Sequence, residues 1–322
     1  MVVPVLLFTV GLVFLIKGGD WFVDGSVGIA RRFGLPELLI GATVVSIGTT
    51  LPEVMVSASS AWAGHGEIAY GNAIGSVICN TALIAAITVA VRPGKVDPKS
   101  LRLPVAFFFT AAAVYAGIAY TTGYFSRISG LILLAMFCAY MFATVWQMKS
   151  GPKDRAARTR SEEAEGSIFR DVALLVLGAV LIAAGANLLV ENGTKIAEAL
   201  GVPESVIALT FVALGTSLPE LVTAVTSLIK GHGALSLGNV IGANLFNLVL
   251  VSGVSVTLAP FSIPDEVNKL GLNTSLMLDI PVMLAVMAFL TLPALKRGRL
   301  SRFQGVALLV VYGAFCAVQF TI

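Results

Sequence analysis

The sequence repeats one pattern twice, and the repeat places polar groups inside apolar runs. Residues 18–84 align without a gap onto residues 185–251 at a constant offset of 167, and about 25 of the 67 pairs are identical. At the centre of the match, Gly-Thr-Thr-Leu-Pro-Glu at 48–53 pairs with Gly-Thr-Ser-Leu-Pro-Glu at 215–220. A carboxylate and hydroxyls are costly in an apolar segment, so their duplication indicates a function shared by both copies.

The composition places these motifs in a membrane. Of the 322 residues 57% are hydrophobic and only 12% are charged, about half the usual charged fraction of soluble domains. Apolar runs of the length needed to cross a bilayer, about 20 residues, occur ten times. The predicted spans are 3–24, 37–63, 69–91, 101–121, 127–148, 168–190, 204–229, 236–258, 275–294 and 301–321.

The spans divide into two halves of five. Residues 1–148 form the first half, the polar stretch 149–167 reads as a cytoplasmic linker, and residues 168–322 form the second half. Because five is odd, the second half must enter the membrane upside down relative to the first. Ten spans place 18 of the 21 Lys and Arg on one side, which the positive-inside rule makes cytoplasmic. We therefore expect an all-α polytopic protein of the cell membrane, with inverted five-helix repeats and both termini extracytoplasmic.

The first motif is predicted to interrupt its helix near the membrane midplane. Pro52 has no N–H, so it leaves the Gly48 carbonyl without its helical partner. Thr49 and Glu53 are four residues apart and share a helix face, with Thr50 beside them. Broken helices that meet at a repeat interface are typical of ion sites in secondary transporters. The equivalent residues of the second copy are Thr216, Ser217 and Glu220.

A second motif follows in each copy and adds amide and hydroxyl groups. Asn72, Ser76 and Asn80 are spaced by four, and their equivalents are Asn239, Ala243 and Asn247. Such an Asn is either an ion ligand or only an interhelical hydrogen bond, and the sequence leaves both readings open for Asn72 and Asn239. Oxygen ligands with two carboxylates favour calcium, sodium or another hard cation over zinc or copper.

On these motifs the chain resembles the calcium/cation antiporter superfamily, and in particular its prokaryotic sodium/calcium exchanger branch. The resemblance extends over the whole ten-span plan and is strongest in the repeats. It implies that Glu53 and Glu220 coordinate calcium and that Thr49 and Thr216 contribute to the calcium or sodium sites, partly through backbone carbonyls. It also implies that the sodium sites are lined by Thr50, Ser217, Ser76, Asn80 and Asn247, with the carbonyls of Ser46 and Ala213.

The sequence departs from the family pattern at three positions. Ala243 stands where a serine is common, Val77 replaces an expected Asn, and Asn247 stands where some relatives have an aspartate. With two site carboxylates instead of three, sodium stoichiometry and potassium dependence are open.

The predicted function is secondary antiport of calcium against sodium across the bilayer. Two glutamates give the site a charge near −2, which one calcium ion or several sodium ions can neutralise. The alternative is proton/calcium exchange, because a glutamate also binds a proton. An intramembrane enzyme or a passive cation channel fits the motifs less well, and no cofactor or nucleic-acid partner is expected.

Overall fold

The structure is a computed structural model, and it describes residues 2–150, 167–200, 215–264 and 273–319. The described chain is almost entirely helical. In chain order the helices are α1 (Val2–Arg32), α2 (Glu37–Trp62), α3 (Gly66–Val91), α4 (Pro98–Thr122), α5 (Arg127–Ser150), α6 (Ile168–Ala199), α7 (Leu218–Ile229), α8 (Gly233–Leu258), α9 (Ser275–Arg297) and α10 (Arg302–Gln319). Two short strands, β1 (Tyr124–Phe125) and β2 (Phe261–Ser262), pair antiparallel between the halves.

The helices confirm the predicted all-α membrane protein. Within the described residues, nine helices are long and apolar enough to cross a membrane, and each corresponds to one predicted span. The tenth span, predicted at 204–229, is represented by the apolar helix α7. The first part of that span, which includes Ala213, lies outside the described residues, as do residues 151–166 of the predicted linker.

The first helices of the two halves pack closely and run antiparallel. A methyl group built on Gly11 would lie 2.9 Å from the Gly185 carbonyl oxygen, and one on Gly25 would lie 2.5 Å from that of Asp171. As the numbering rises along α1, it falls along α6. Glycines therefore allow the two backbones to approach to a distance that a larger residue would prevent.

Helices α2, α3 and α8 also have the directions that an inverted repeat requires. Gly238 of α8 packs on Leu38 of α2, and Gly242 packs on Ala42, so these helices run parallel. Helix α3 follows α2 in a hairpin and runs the other way. Since α8 is the sequence repeat of α3, the two copies of this helix point in opposite directions.

The interruption of α2 differs from the predicted one. The helix continues through Pro52, and the irregular segment is a π-helical turn at Gly41–Val45. In the second half, Gly215–Ser217 form a turn and Pro219 lies in the first turn of α7, where its missing N–H has no helical partner to lose. Further π-helical turns begin at Asn80 in α3 and at Asn247 in α8, which are equivalent repeat positions.

Candidate ion-binding site

Two carboxylates, one from each half, lie in the interior of the helix bundle. Glu53 in α2 and Glu220 in the first turn of α7 are both 0% exposed. Their side chains are close enough to interact electrostatically. All four carboxylate oxygens lack a hydrogen-bond partner among the described residues. Buried polar groups are normally hydrogen-bonded, so four unpaired carboxylate oxygens in one place are suited to binding a cation.

The threonines beside these carboxylates are held by asparagines of the opposite half. The Thr49 hydroxyl donates to the Asn239 side-chain oxygen at 3.2 Å, and the Thr216 hydroxyl donates to the Asn72 side-chain oxygen at 3.3 Å. The two hydrogen bonds are equivalent in the two repeats, because Thr49 and Thr216 are 167 residues apart and so are Asn72 and Asn239. The halves are therefore joined at the predicted site by a pair of symmetric hydrogen bonds.

Two further residues predicted for the site, Ser46 and Thr50, lie beside Thr49. Ser46 follows the π-helical turn of α2, and its hydroxyl lies 2.7 Å from the Gly41 carbonyl and 3.0 Å from the Asn239 carbonyl. The Thr50 hydroxyl is fully buried without a hydrogen-bond partner in the described part of the chain. Thr49 and Thr50 both face the Glu220 carboxylate, without meeting hydrogen-bond geometry to it.

The asparagines Asn80 and Asn247 occupy equivalent places in α3 and α8. Both side chains are 0% exposed, and neither their amide nitrogens nor their oxygens have partners in the described structure. Each begins a π-helical turn, a feature that is frequent at functional sites. Buried amides without a partner among the described residues can, like the carboxylates, supply oxygen atoms to an ion.

Three of the remaining predicted residues lie in the described part of the chain, and all three are buried or half-buried. Ser76 of α3 is 4% exposed and Ser217, which precedes α7, is 3% exposed. Thr216 is half-buried in the turn before α7. The carbonyl of Ala213 lies outside the described residues.

Asn72 and Asn239 were not among the residues predicted to line the site. They do more than join two helices, because each positions a site threonine of the other half. The Asn72 amide also donates to the Ser57 hydroxyl at 2.8 Å, which fixes the orientation of its oxygen toward Thr216. Their identical spacing from the motif glycines was the available signal, but spacing alone does not reveal a partner across the repeat interface.

The chemistry of the cluster is that of a hard cation site. Its groups are carboxylate, hydroxyl, amide and carbonyl oxygens, the ligands that calcium and sodium prefer. In the described residues no ion pair involves Glu53 or Glu220, and no group of three or more His, Cys, Asp or Glu side chains forms a compact metal site. The negative charge of the cluster thus comes from the two glutamates.

Comparison with known proteins identifies the family. Residues 3–146 and 171–321 match the profile of the family described as sodium/calcium exchanger protein. The chain is 31% identical to the sodium/calcium exchanger MaX1 of Methanosarcina acetivorans, with 98% of both chains covered. It is 34% identical to the inner membrane protein YrbG of Escherichia coli, with 92% of both covered.

Solved structures of a sodium-calcium exchanger are similar to this chain as well. The sodium-calcium exchanger NCX_Mj, in a crystal soaked with sodium and strontium, superposes with a TM-score of 0.82 at 32% identity, covering 98% of both chains. The match extends over both repeats and includes the helices that carry the paired glutamates. The chain belongs to the sodium/calcium exchanger family of membrane proteins.

Proposed function

We propose that the protein exchanges calcium for sodium across a membrane by alternating access, with both ions using the site between the repeats. The observation that carries the proposal is the pair of fully buried carboxylates, Glu53 and Glu220, whose four oxygens have no partner in the described structure. Membership of the sodium/calcium exchanger family supports sodium as the counter-ion over a proton.

Charge compensation explains why the two ions compete. One calcium ion neutralises a site charge near −2, and sodium ions neutralise the same charge in its absence. The two cargoes therefore use the same carboxylates at different times. An empty site whose two carboxylates are ionised keeps two buried negative charges, a costly state in a low-dielectric interior. Exchange is obligatory if that empty state crosses between the two sides much more slowly than the loaded states.

We assign the ligands by the family pattern together with the geometry described above. Glu53 and Glu220 bind calcium, with Thr49 and Thr216 supplying further oxygens. The sodium sites use the remaining predicted groups: Thr50, Ser217, Ser76, Asn80, Asn247 and the carbonyls of Ser46 and Ala213. Because Asn247 is neutral, the calcium site has two carboxylates and no third.

We propose that α1 and α6 move together as the gate. Their glycine-lined contact makes them a tightly packed pair, while their contacts with the ligand-bearing helices are fewer. Phe22 of α1 covers Gly48 beside the site, since a methyl group on Gly48 would lie 3.1 Å from the Phe22 ring. Gly19 likewise lies against Val222 and Thr226 of α7. Sliding of the pair would cover and uncover the site from either side.

The proposed orientation places both termini on the extracytoplasmic side of the cell membrane. It rests on the 18 of 21 basic residues that lie on one face of the ten-span plan. In this orientation the linker at 149–167 is cytoplasmic.

The test is calcium uptake into proteoliposomes driven by an outward sodium gradient. Wild type should take up calcium only when sodium is present inside, and Glu53→Gln and Glu220→Gln should each abolish this uptake. Glu67→Gln, an exposed carboxylate at the start of α3, is the matched control and should transport normally. Uptake that survives in either site variant overturns the ligand assignment. Uptake driven by a pH gradient in sodium-free buffer overturns the choice of counter-ion.

A further inference from the structure

The two Gly-His-Gly turns of the repeats have the same local conformation but different surroundings. Each turn precedes a helix of the second motif, α3 after His65 and α8 after His232. In both, the His N–H donates to a serine carbonyl five residues earlier, at 2.8 Å from His65 and 2.7 Å from His232. At the start of any helix the first N–H groups lack helical partners and carry partial positive charge.

In the first half this helix start is covered and its charge is compensated. A methyl group on Gly66 would lie 2.3 Å from the Phe261 side chain, so Phe261 of β2 closes the space in front of α3. Glu67 lies in the first turn of α3 and places a carboxylate near the N–H groups. At the start of α3, residues of this chain therefore both fill the space and compensate the partial positive charge.

In the second half the equivalent helix start is open and has no acidic residue. A methyl group on Gly233 would meet nothing within 4 Å, and the residue equivalent to Glu67 is Ala234. No side chain caps the first turn of α8. Gly233 and Ala234 line a cavity of about 320 Å³, within the usual size range of small-molecule sites.

The walls of this cavity carry positive charge. Arg92 and Lys95, in the loop between α3 and α4, both line it. The loop is held by a short backbone ladder to the segment after α9: the Val96 N–H donates to the Gly298 carbonyl and the Leu300 N–H donates to the Gly94 carbonyl, both at 2.9 Å. The basic residues are therefore presented from a fixed backbone.

A residue with a buried, unpartnered hydroxyl also lies in the wall of the cavity. Ser236 lines it from the first turn of α8, is 2% exposed, and its hydroxyl has no hydrogen-bond partner in the described structure. Among the described residues that line the cavity, the one acidic side chain is that of Glu37, which lies 3.0 Å from the His232 ring nitrogen Nδ1 and is held by that contact. The fixed charges of Arg92 and Lys95 outweigh it.

We propose that this cavity, hereafter the α8 pocket, binds a phosphate group. Helix N–H groups, an arginine, a lysine and a buried hydroxyl are the donors that recognise phosphate oxygens in proteins. The lining residues Arg92, Lys95 and Gly233 of the α8 pocket belong to the side of the ten-span plan that carries most of the basic residues. The phosphate belongs either to an anionic lipid headgroup of that leaflet or to a small soluble phosphate.

The test measures both sources on the full-length protein. Inorganic phosphate is titrated by calorimetry into detergent-solubilised protein, and dioleoylphosphatidylglycerol binding is counted by native mass spectrometry with dioleoylphosphatidylcholine as the neutral reference. Binding of either anionic probe supports the site and identifies its source, whereas binding of neither overturns it.

Variants separate the α8 pocket from general surface charge. Arg92→Gln with Lys95→Gln should weaken binding at least tenfold, and Ala234→Glu, which copies the first-half arrangement, should do the same. The control pair Lys99→Gln with Arg102→Gln removes equal charge from the adjacent, exposed start of α4 and should change binding less than twofold. Equal losses in both double variants, or no loss with Ala234→Glu, overturn the proposal. Sodium-driven calcium uptake confirms that each variant is folded.

Discussion

Replacing Glu53 by glutamine should remove most of the calcium-dependent stability of the protein. The substitution preserves the shape of the side chain and removes one of the two negative charges. The oxygens of Glu53 and Glu220 have no partners in the described structure, so a calcium ion bound between them would be the main compensation for both. Removing one partner of a buried pair of opposite charges, here a carboxylate that faces the calcium ion, typically costs about 3–5 kcal/mol.

The expected magnitude follows from mass action. A loss of about 3 kcal/mol lowers calcium affinity roughly 150-fold, since each 1.4 kcal/mol is about tenfold. At a calcium concentration about 100 times the wild-type Kd, calcium stabilises the wild-type protein by about 2.7 kcal/mol. The same concentration would stabilise the Glu53→Gln variant by only about 0.3 kcal/mol.

The assay compares unfolding of detergent-solubilised protein with and without calcium, and calorimetry supplies the Kd values. Glu220→Gln should behave like Glu53→Gln, because the two glutamates occupy equivalent repeat positions. Glu67→Gln should keep the full calcium effect. If Glu53→Gln retains the wild-type calcium effect while Glu220→Gln loses it, the reasoning from a shared, symmetric site is refuted.

Three further contacts give predictions. Asn239→Ala should weaken calcium binding about two- to tenfold by calorimetry, because it removes a hydrogen bond worth ~0.5–1.5 kcal/mol that positions Thr49; unchanged affinity would refute this role. Lys230→Met removes salt bridges that join α7 to α1 and should lower the population of the described arrangement up to about fivefold in spin-label distance measurements; Lys195→Met, whose salt bridge lies within α6, should not change it. Asp97→Ala should lower the free energy of unfolding by about 1 kcal/mol at neutral pH, because the Asp97 side chain caps the start of α4. Partial burial opposes ionisation of Asp97, but hydrogen bonds from the first turn of α4 hold its pKa below the usual value. The contribution of Asp97 to the free energy of unfolding should therefore be present above the pKa of Asp97 in the unfolded state and disappear as pH falls through its pKa in the folded state. A contribution that is lost as pH rises would contradict this.

The membrane helices were predictable because their signal is local. A run of about 20 apolar residues has few alternatives in a bilayer, and nine predicted spans correspond to described helices. The ends of α4 lie a few residues outside the predicted span 101–121. Asp97 with Pro98 begins the helix, and Gly123, with a φ of 63°, ends it.

The paired glutamates and threonines were predictable because the repeat marks them twice. The π-helical turns were not, since Asn80 and Asn247 look like ordinary helix residues until their neighbours are known. The helix was predicted to break at Pro52, but its hydrogen-bond pattern changes from α-helical to π-helical earlier, at Gly41–Val45. Close packing of α8 on α2, through Gly238 and Gly242, is the contact that accompanies this segment.

Comparison of the two repeats separates what the site requires from what each membrane face requires. At the centre the halves supply matching groups: Glu53 and Glu220 are equivalent, and each site threonine bonds an asparagine of the other half. In the proposed exchange cycle, an ion between the halves would meet similar chemistry from both sides, as alternating access through one site requires. At the ends the halves differ, because an inverted repeat presents equivalent turns to opposite faces. The turn before α3 is closed by Phe261, while the turn before α8 opens into a basic pocket. Residues that break the repeat are therefore the places to look for functions specific to one side of the membrane.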